Sequence, residues 1–276
     1  MTVHVKVLPT HPKLGRHVEH DARSLAYQVV PRGVATFVPV DYKSIGPILD
    51  QGDLGACTGY SSTALLGYIE PGNPELPDTP DSWNALAVSV YSLGTTLDNI
   101  GGQYPPTDTG STGLAVAKAL QKKQFVSGYK HITSAAALAT ALETGPVIVG
   151  TNWYNSMFTP SASGLVTVSV KSGLAGGHEY VLDGVMPDGR FRFRNSWGSG
   201  WGIGGFFYMS QKDFLSLLAD DGDATQLVPV SQPAPVPVPP TPTPSPSPAP
   251  GPVVDYSGLV QAHSELEDFL KSVGAL

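Results

Sequence analysis

The order of the predicted elements indicates an α+β domain, with helices in the first half of the main region and strands in the second. Between residues 40 and 228, apolar residues recur first at helical spacing and then at the two-residue spacing of strands. The two patterns do not alternate, which argues against a parallel sheet with crossover helices. We therefore expect two lobes of different character with a cleft between them.

Four helices are expected in the first half. The apolar residues at 82–91 fall on one face, as they do in an amphipathic helix. Ser111 and Ser134 stand where helices would begin, and serine is a preferred N-cap residue. The expected helices are 58–69, 82–91, 111–123 and 134–143.

Five strands are expected in the second half. They are short runs rich in Val, Ile, Phe and Tyr, and turn-forming residues separate them. The expected strands are 147–153, 165–170, 179–185, 191–195 and 205–209.

Composition and charge narrow the class of protein. The chain has 276 residues and a formal net charge of −7 without a basic stripe, which argues against nucleic acid as a partner. Its single cysteine, Cys57, cannot form an internal disulfide, so core packing alone must hold the fold. The first residues lack the apolar core of a secretory signal, and no apolar run approaches the ~20 residues that span a bilayer. We expect a cytoplasmic or phage-particle location.

The chain divides into four segments by composition. An N-terminal arm (1–39) precedes the main domain (40–228), and a proline-rich linker (229–252) leads to an amphipathic C-terminal segment (253–276). The linker favours extended polyproline II and cannot build a core. A helix as short as the last segment is marginal alone. We expect that helix to dock on the main domain, to self-associate, or to bind a partner protein or assembly.

Cys57 lies where a cysteine nucleophile would be activated. It follows a glycine-rich loop and opens the first expected helix, whose free N–H groups and dipole stabilise a thiolate. For an isolated cysteine the alternative is a buried structural role. Gln51, six residues earlier, could donate its side-chain amide to an oxyanion together with the Cys57 backbone N–H.

His178 is the histidine best placed to pair with Cys57. It follows two glycines and starts an expected strand, and Asn195 in the next expected strand could accept its ring N–H. Trp197 could then cover that hydrogen bond and keep water out. Cys57 as nucleophile, His178 as base and Asn195 as orienting group would together form a catalytic triad.

The expected hairpin register supports the same pairing. A turn centred between Met186 and Pro187 sets His178 opposite Asn195. In that register two acids face arginines across the hairpin: Glu179 faces Arg194 and Asp183 faces Arg190. Both acids are therefore expected to serve strand pairing and not catalysis.

Taken in order, these residues resemble the papain-like cysteine protease family. The resemblance runs from Val40 to about Met209 and rests on the Gln51–Cys57 spacing, Gly55-Ala56-Cys57, Gly177-His178 and Asn195-Ser-Trp-Gly-Ser-Gly-Trp-Gly202. It implies a helical left lobe and an antiparallel β-barrel-like right lobe, with Cys57 and His178 on facing walls of the cleft. It also implies that Gln51 is the oxyanion donor and Asn195 the orienting residue.

The resemblance further implies where substrate would bind. Gly101 and Gly102 would offer backbone groups to the substrate, with Gly110 as an equally placed rival, and Gly177 would line the cleft. No metal and no cofactor are implied.

The chain also departs from the family pattern. Leu54 stands where the family usually has a cysteine, Thr58 stands where an aromatic residue is usual, and the family's disulfides are missing. The arm (1–39) is far shorter than the family's inhibitory prosegment. We expect a compact bacterial or phage-type member whose arm wraps over or near the cleft.

The sequence thus favours a cysteine endopeptidase that acts on peptides or proteins. Cys57 would attack a peptide carbonyl, an acyl-enzyme would form, and His178 would protonate the leaving amine. The same chemistry would serve a cysteine hydrolase that cleaves peptidoglycan. Two non-enzymatic alternatives stay open: a binding module on an inactivated protease fold, and an assembly protein held by its C-terminal helix.

Overall fold

The structure is a computed structural model that describes residues 3–231 of the chain. Most of the proline-rich linker and all of the C-terminal segment (253–276) lie outside the described residues, so the predicted spacer and helix stay predictions. Within residues 3–231, no helix has both the length and the apolar character that a membrane span requires.

The arm forms a two-stranded hairpin before it joins the main domain. Strand β1 (Val3–Lys6) pairs antiparallel with β2 (Val18–Asp21), and residues 7–17 form a long loop between them. The chain then passes through a short 3-10 helix and reaches β3 (Val40–Asp41). On the way, the Val29 N–H donates to the His131 carbonyl, which ties the arm to the main domain.

Three helices build the first lobe: α1 (Cys57–Ile69), α2 (Pro80–Gly94) and α3 (Gly113–Lys122). Helix α1 is buried over most of its length, because α2 and α3 pack on it and the sheet covers another face. The side chains of Thr79 and Thr112 accept backbone N–H groups at the starts of α2 and α3. These helices confirm the expected helical half, with Thr112 as the cap of α3 in place of Ser111.

The remaining elements belong to one antiparallel sheet and two further helices. The sheet contains β4 (Val126–His131), β5 (Val147–Tyr154), β6 (Leu174–Val185), β7 (Phe191–Arg194), β8 (Phe206–Met209) and β9 (Asp223–Pro229). Its order is β4-β9-β5-β6-β7-β8, and β3 also pairs with β6. Helices α4 (Ala135–Leu142) and α5 (Gln211–Ala219) accompany it. Among the described residues no pairing of β4 with β8 closes the sheet, so the expected barrel closure is not confirmed.

Each lobe has its own core. The helical lobe buries a cluster that includes Tyr60, Trp83 and Tyr91. The sheet lobe buries an aromatic cluster that includes Trp153, Tyr180 and several phenylalanines. Strand β6 is buried on both faces because it lies between α1 and the aromatic cluster. This position brings alternate residues of β6 into two different environments.

The strand expected at 165–170 is wrong. Leu165 forms only an isolated bridge with Tyr208, and Val170–Ser172 is a 3-10 turn. The alternating valines resemble a strand, but Val166 is the only residue of the run that is buried. Four elements of the described main domain escaped the sequence expectations: β3, β4, β9 and α5.

The expected register of the β6–β7 hairpin is also wrong. Val181 pairs with Arg194, and a bulge at Asp183 shifts the register by one residue. The turn contains three residues, and a hydrogen bond from Met186 N–H to the Arg190 carbonyl closes it at 2.8 Å. Gly189 adopts a φ of 84° there, a conformation that favours glycine. The turn therefore lies later in the chain than expected.

In the observed register, Glu179 and Asp183 do not have the partners expected for them. Asp183 forms an ion pair with Arg192 at 2.9 Å, and not with Arg190. Arg194 donates instead to the carbonyls of Gly46 and Pro47. Glu179 has no strand-pairing arginine, so the role expected for it is wrong.

Candidate active site

Cys57 is the first residue of α1 and lies fully buried. Burial raises the pKa of its thiol to about 12, and the nearby Glu179 carboxyl acts in the same direction. Backbone groups of Glu179, Gly15 and Arg16 lie against the thiol as hydrogen-bonding groups and oppose that rise. In this state the thiol is therefore neutral at physiological pH.

His178 and Asn195 are in direct contact. Nε2 of His178 lies 2.7 Å from Oδ1 of Asn195, so a proton on Nε2 is donated to the amide oxygen. The Ser196 backbone N–H donates to the same oxygen at 2.8 Å and fixes which way the amide points. The contact forms although the register differs from the expected one, because Asn195 lies just beyond the end of β7.

Aromatic side chains enclose the imidazole. The Trp197 ring stacks on His178 with centroids 4.6 Å apart, and the Trp153 ring meets it edge-on at 4.8 Å. Burial lowers the pKa of His178 to about 3, while the hydrogen bond to Asn195 opposes the shift. Its Nδ1 is buried without a hydrogen-bond partner in the described part of the chain, so the bond to the thiol is not formed.

Gln51 is buried beside the loop that leads into α1. Its Oε1 accepts from the Ser196 hydroxyl at 2.6 Å, which orients the amide. Its Nε2 donates to the Leu54 carbonyl at 2.7 Å and to the Lys13 carbonyl of the arm at 3.2 Å. The amide that is expected to donate to an oxyanion thus donates to two backbone carbonyls in this state.

The arm runs through the cleft, which confirms that it lies over the site. The Ser111 N–H donates to the Gly15 carbonyl, and the His17 N–H donates back to the Ser111 carbonyl, both at 2.8 Å. On the opposite wall, the Arg16 N–H donates to the Gly177 carbonyl at 3.1 Å. An extended piece of polypeptide is therefore bound by its backbone to both lobes.

Glycines make this close approach possible. A Cβ on Gly15 would overlap the Gly55 carbonyl, and a Cβ on Gly177 would overlap the Arg16 carbonyl. Gly110 has a φ of 68°, and a Cβ there would overlap the Gly15 carbonyl. The fit between arm and cleft depends on backbones that touch without side chains between them.

Gly101 and Gly102 make no close backbone contact with the arm in residues 3–231, and their expected role toward substrate stays a prediction. A Cβ on Gly101 would meet nothing within 4 Å, and a Cβ on Gly102 would meet only the Thr109 side chain. Both glycines are exposed and neither bonds to the arm. The residue that pairs with the arm is Ser111, next to the rival Gly110, because the loop before α3 forms that wall of the cleft.

Sequence reasoning missed a buried ionic cluster beside the thiol. The Arg16 side chain is fully buried and forms an ion pair with Asp223 at the start of β9. Glu179 lies next to this pair and is itself fully buried. The available signal was an acid directly after His178 in an expected strand rich in apolar and small residues.

Comparison with known protein sequences agrees with this geometry. A family model described as "Papain family cysteine protease" matches residues 93–220, a stretch that holds His178 and Asn195 and begins after Cys57. "Gamete and mating-type specific protein A" of Dictyostelium discoideum is 28% identical over 193 residues, 63% of this chain and 42% of that protein. "Cathepsin L 1" of Paramecium tetraurelia is 30% identical over 111 residues, 40% of this chain and 34% of that protein. The chain thus spans less than half the length of these curated relatives.

Solved structures show the fold. Xylellain, a cysteine protease from Xylella fastidiosa, superposes with a TM-score of 0.65 at 19% identity, over 81% of this chain and 99% of that one. Digestive procathepsin L 3 of Tenebrio molitor gives a TM-score of 0.55 at 17% identity, over 75% of each chain. The expected α+β fold with a papain-like arrangement is confirmed. The chain is therefore similar to papain-family cysteine proteases in sequence over residues 93–220, and it shares the papain-like fold.

Proposed function

We propose that this chain is a cysteine endopeptidase that cleaves polypeptide through Cys57 and His178. The observation that carries the proposal is the extended segment bound in the cleft. Residues 15–17 are held by backbone hydrogen bonds to Ser111 and Gly177, beside the Cys57 thiol. Backbone groups of this kind recognise any extended peptide, whatever its side chains.

The reaction begins when the arm leaves the cleft. Water and substrate then reach Cys57, and the thiol proton passes to Nδ1 of His178 to give a thiolate and an imidazolium. Asn195 Oδ1 accepts a hydrogen bond from the Nε2–H of His178, which keeps the imidazole in the orientation that presents Nδ1. Trp197 covers the His178–Asn195 hydrogen bond.

The thiolate attacks the peptide carbonyl carbon, and the carbonyl oxygen becomes an oxyanion. Gln51 Nε2 and the Cys57 backbone N–H donate to that oxygen. The C–N bond breaks as His178 gives its proton to the leaving amine, which leaves a thioester. Water then attacks the thioester while His178 takes a water proton, and the acid product leaves as the thiol is restored.

The arm keeps this chemistry switched off. Its backbone fills the cleft, the thiol is neutral, and His178 Nδ1 has no partner among the described residues. A neutral thiol and a neutral imidazole form no reactive ion pair, so the arm is protected from cleavage while it is bound. The arm therefore acts as an internal inhibitor.

The test is labelling of the full chain with a thiol-reactive epoxide, read by intact mass. We expect fast stoichiometric modification of Cys57 in Gly15→Ala, where the arm no longer fits. Adding His178→Ala should reduce the labelling rate by at least about 100-fold. Equal, slow labelling of both proteins would disprove nucleophilic activation.

The same proteins separate peptidase activity from the alternatives. The Gly15→Ala chain should cleave fluorogenic peptides and leave a peptidoglycan zymogram unchanged. The reason is that the hydrogen bonds that the cleft makes to the arm are to its peptide backbone. Cell-wall clearing without peptide cleavage would favour the peptidoglycan hydrolase. Labelling without cleavage of either would favour a binding or assembly role.

A further inference from the structure

We infer that Glu179 and Asp223 form a specificity pocket that takes an arginine side chain of the substrate at the position now filled by Arg16. This inference rests on the proposed peptidase function and adds a substrate class to it. The pocket lies beside Cys57, so the side chain it selects belongs to a residue close to the scissile bond.

The first argument is the way Arg16 is held. Its Nε donates to Asp223 Oδ2 at 3.1 Å, and one terminal nitrogen donates to the same carboxylate and to the Asp221 carbonyl at 2.6 Å. The guanidinium has lost all contact with solvent. A planar donor set held by three bonds is recognised far better than the single ammonium of lysine.

The second argument is the space that two glycines leave. A Cβ on Gly150 would lie 2.6 Å from Glu179 Oε2, 2.7 Å from Arg16 Nε and 3.0 Å from Asp223 Oδ2. A Cβ on Gly113 would lie 2.9 Å from Asp223 Oδ1 and would overlap Glu179 as well. Both walls of the pocket thus lack side chains where the two acids and the guanidinium meet.

The third argument is charge. Both carboxylate oxygens of Glu179 are buried without a hydrogen-bond partner in residues 3–231. Burial raises the pKa of Glu179 well above its ordinary value, the Asp223 charge adds to the rise, and Arg16 opposes it. When Arg16 leaves, the fully buried Glu179 and the partly exposed Asp223 have no cation between them. A cationic side chain of the substrate again compensates the negative charge of these acids, whereas a neutral side chain does not.

The fourth argument links the pocket to the substrate path. The backbone of Arg16 is the part of the arm that pairs with Ser111 and Gly177 across the cleft. Any polypeptide that replaces the arm on these backbone groups places a side chain at the mouth of the same pocket. The pocket therefore selects among substrates and does not merely fasten the arm.

The experiment uses the full chain with Arg16→Ala, which empties the pocket and loosens the arm. A scanning set of fluorogenic peptides carries one arginine, or its uncharged isostere citrulline, at successive positions. At one position near the cleavage point we expect arginine to raise kcat/KM at least about tenfold over citrulline. Adding Asp223→Asn should reduce that ratio to below about threefold. Asp188→Asn removes an equal charge from the exposed β6–β7 turn and should keep the ratio.

A binding measurement keeps the test independent of catalysis. Agmatine, a free guanidinium compound, should raise the unfolding temperature of Arg16→Ala by about 3 °C and leave Arg16→Ala/Asp223→Asn unchanged. Cleavage at equal rates with arginine and citrulline, with no effect of agmatine, would overturn the pocket and leave the peptidase. No labelling and no cleavage, with agmatine still stabilising the protein, would overturn the proposed function instead.

Discussion

The backbones of Gly15 in the arm and Gly55 in the loop before Cys57 touch so closely that a Cβ on Gly15 would overlap the Gly55 carbonyl oxygen. Neither residue carries a side chain, and that is what lets the arm lie flat against the wall of the cleft. We therefore expect one methyl group added at Gly15 to displace the arm from the cleft.

The first prediction concerns latency. Gly15→Ala should raise the rate of Cys57 labelling by an epoxide at least about tenfold over wild type, because a clash with rigid backbone forces the arm away. Gly33→Ala is the matched control, since a Cβ on that arm glycine would meet nothing within 4 Å. Equal labelling rates in wild type and Gly15→Ala would show that the arm does not limit access.

The second prediction concerns the oxyanion donor. In the Gly15→Ala background, Gln51→Ala should lower kcat by roughly 10² to 10³ with little change in KM, because the hydrogen bond of its amide to the substrate oxygen strengthens as negative charge develops there. Ser196→Ala removes the hydroxyl that orients Gln51 but leaves the donor in place. Its effect on kcat should be clearly smaller, and equal losses would point to a structural role for Gln51.

The third prediction concerns packing of α1 on α2. Gly59 lies where a Cβ would come 2.6 Å from the Ala87 carbonyl oxygen and 2.6 Å from Tyr91 Cβ. Gly59→Ala should lower the free energy of unfolding by roughly 1–3 kcal/mol, although alanine is the better helix former.

Urea unfolding of the full chain checks the packing prediction. The control is Gly72→Ala, where a Cβ would meet nothing within 4 Å and the change should stay within about 0.5 kcal/mol. A Gly59→Ala protein as stable as wild type would mean that the two helices can move apart without cost.

The fourth prediction concerns pH. His17 Nδ1 accepts the Leu8 N–H at 3.0 Å, and its Nε2 contacts the Thr109 carbonyl at 2.8 Å. Burial lowers the pKa of His17, the Arg16 charge acts in the same direction, and the Thr109 carbonyl opposes both. A proton on Nδ1 would remove the acceptor for Leu8, so the closed arm binds fewer protons than the open arm.

The sign follows from this difference in proton binding. The stabilisation of the closed arm is complete above the ordinary histidine pKa of about 6.5 and is lost as pH falls below that value. Hydrogen exchange of residues 8–18, corrected for intrinsic rates, should show less protection at pH 5 than at pH 7. The difference should vanish in His17→Gln, and persistence of the full difference there would assign it to another group.

The sequence was sufficient for the features that repeat locally. The helical spacing of α2 to α4 and the Ser134 cap of α4 follow from short stretches of residues, and the structure confirms these helices, although Thr112 and not Ser111 caps α3. The contact of His178 with Asn195 was also predicted, because His178 lies in β6 and Asn195 directly follows β7, the strand that pairs with β6. What failed was the register between those strands, since neither a three-residue turn nor a bulge at Asp183 leaves a clear periodic signal.

The ionic cluster could not be predicted from the sequence, for a different reason. Arg16, Glu179 and Asp223 come from the arm, β6 and β9, and nothing in the spacing of distant residues indicates that they meet. The valines at 165–170 show the converse error, because a local strand pattern was not matched by a partner strand. Local patterns predict elements, whereas the pocket depends on how those elements are assembled.

The burial of Arg16 against Asp223 ties two properties of the molecule to one pair of side chains. A substitution that changes which residue the pocket accepts also changes how firmly the arm is retained, since both depend on the same carboxylate. A substitution at Asp223 should therefore change both the preference for a substrate side chain and the retention of the arm in the cleft. A variant with a neutral pocket would regain a secure arm only through a second, compensating change at position 16.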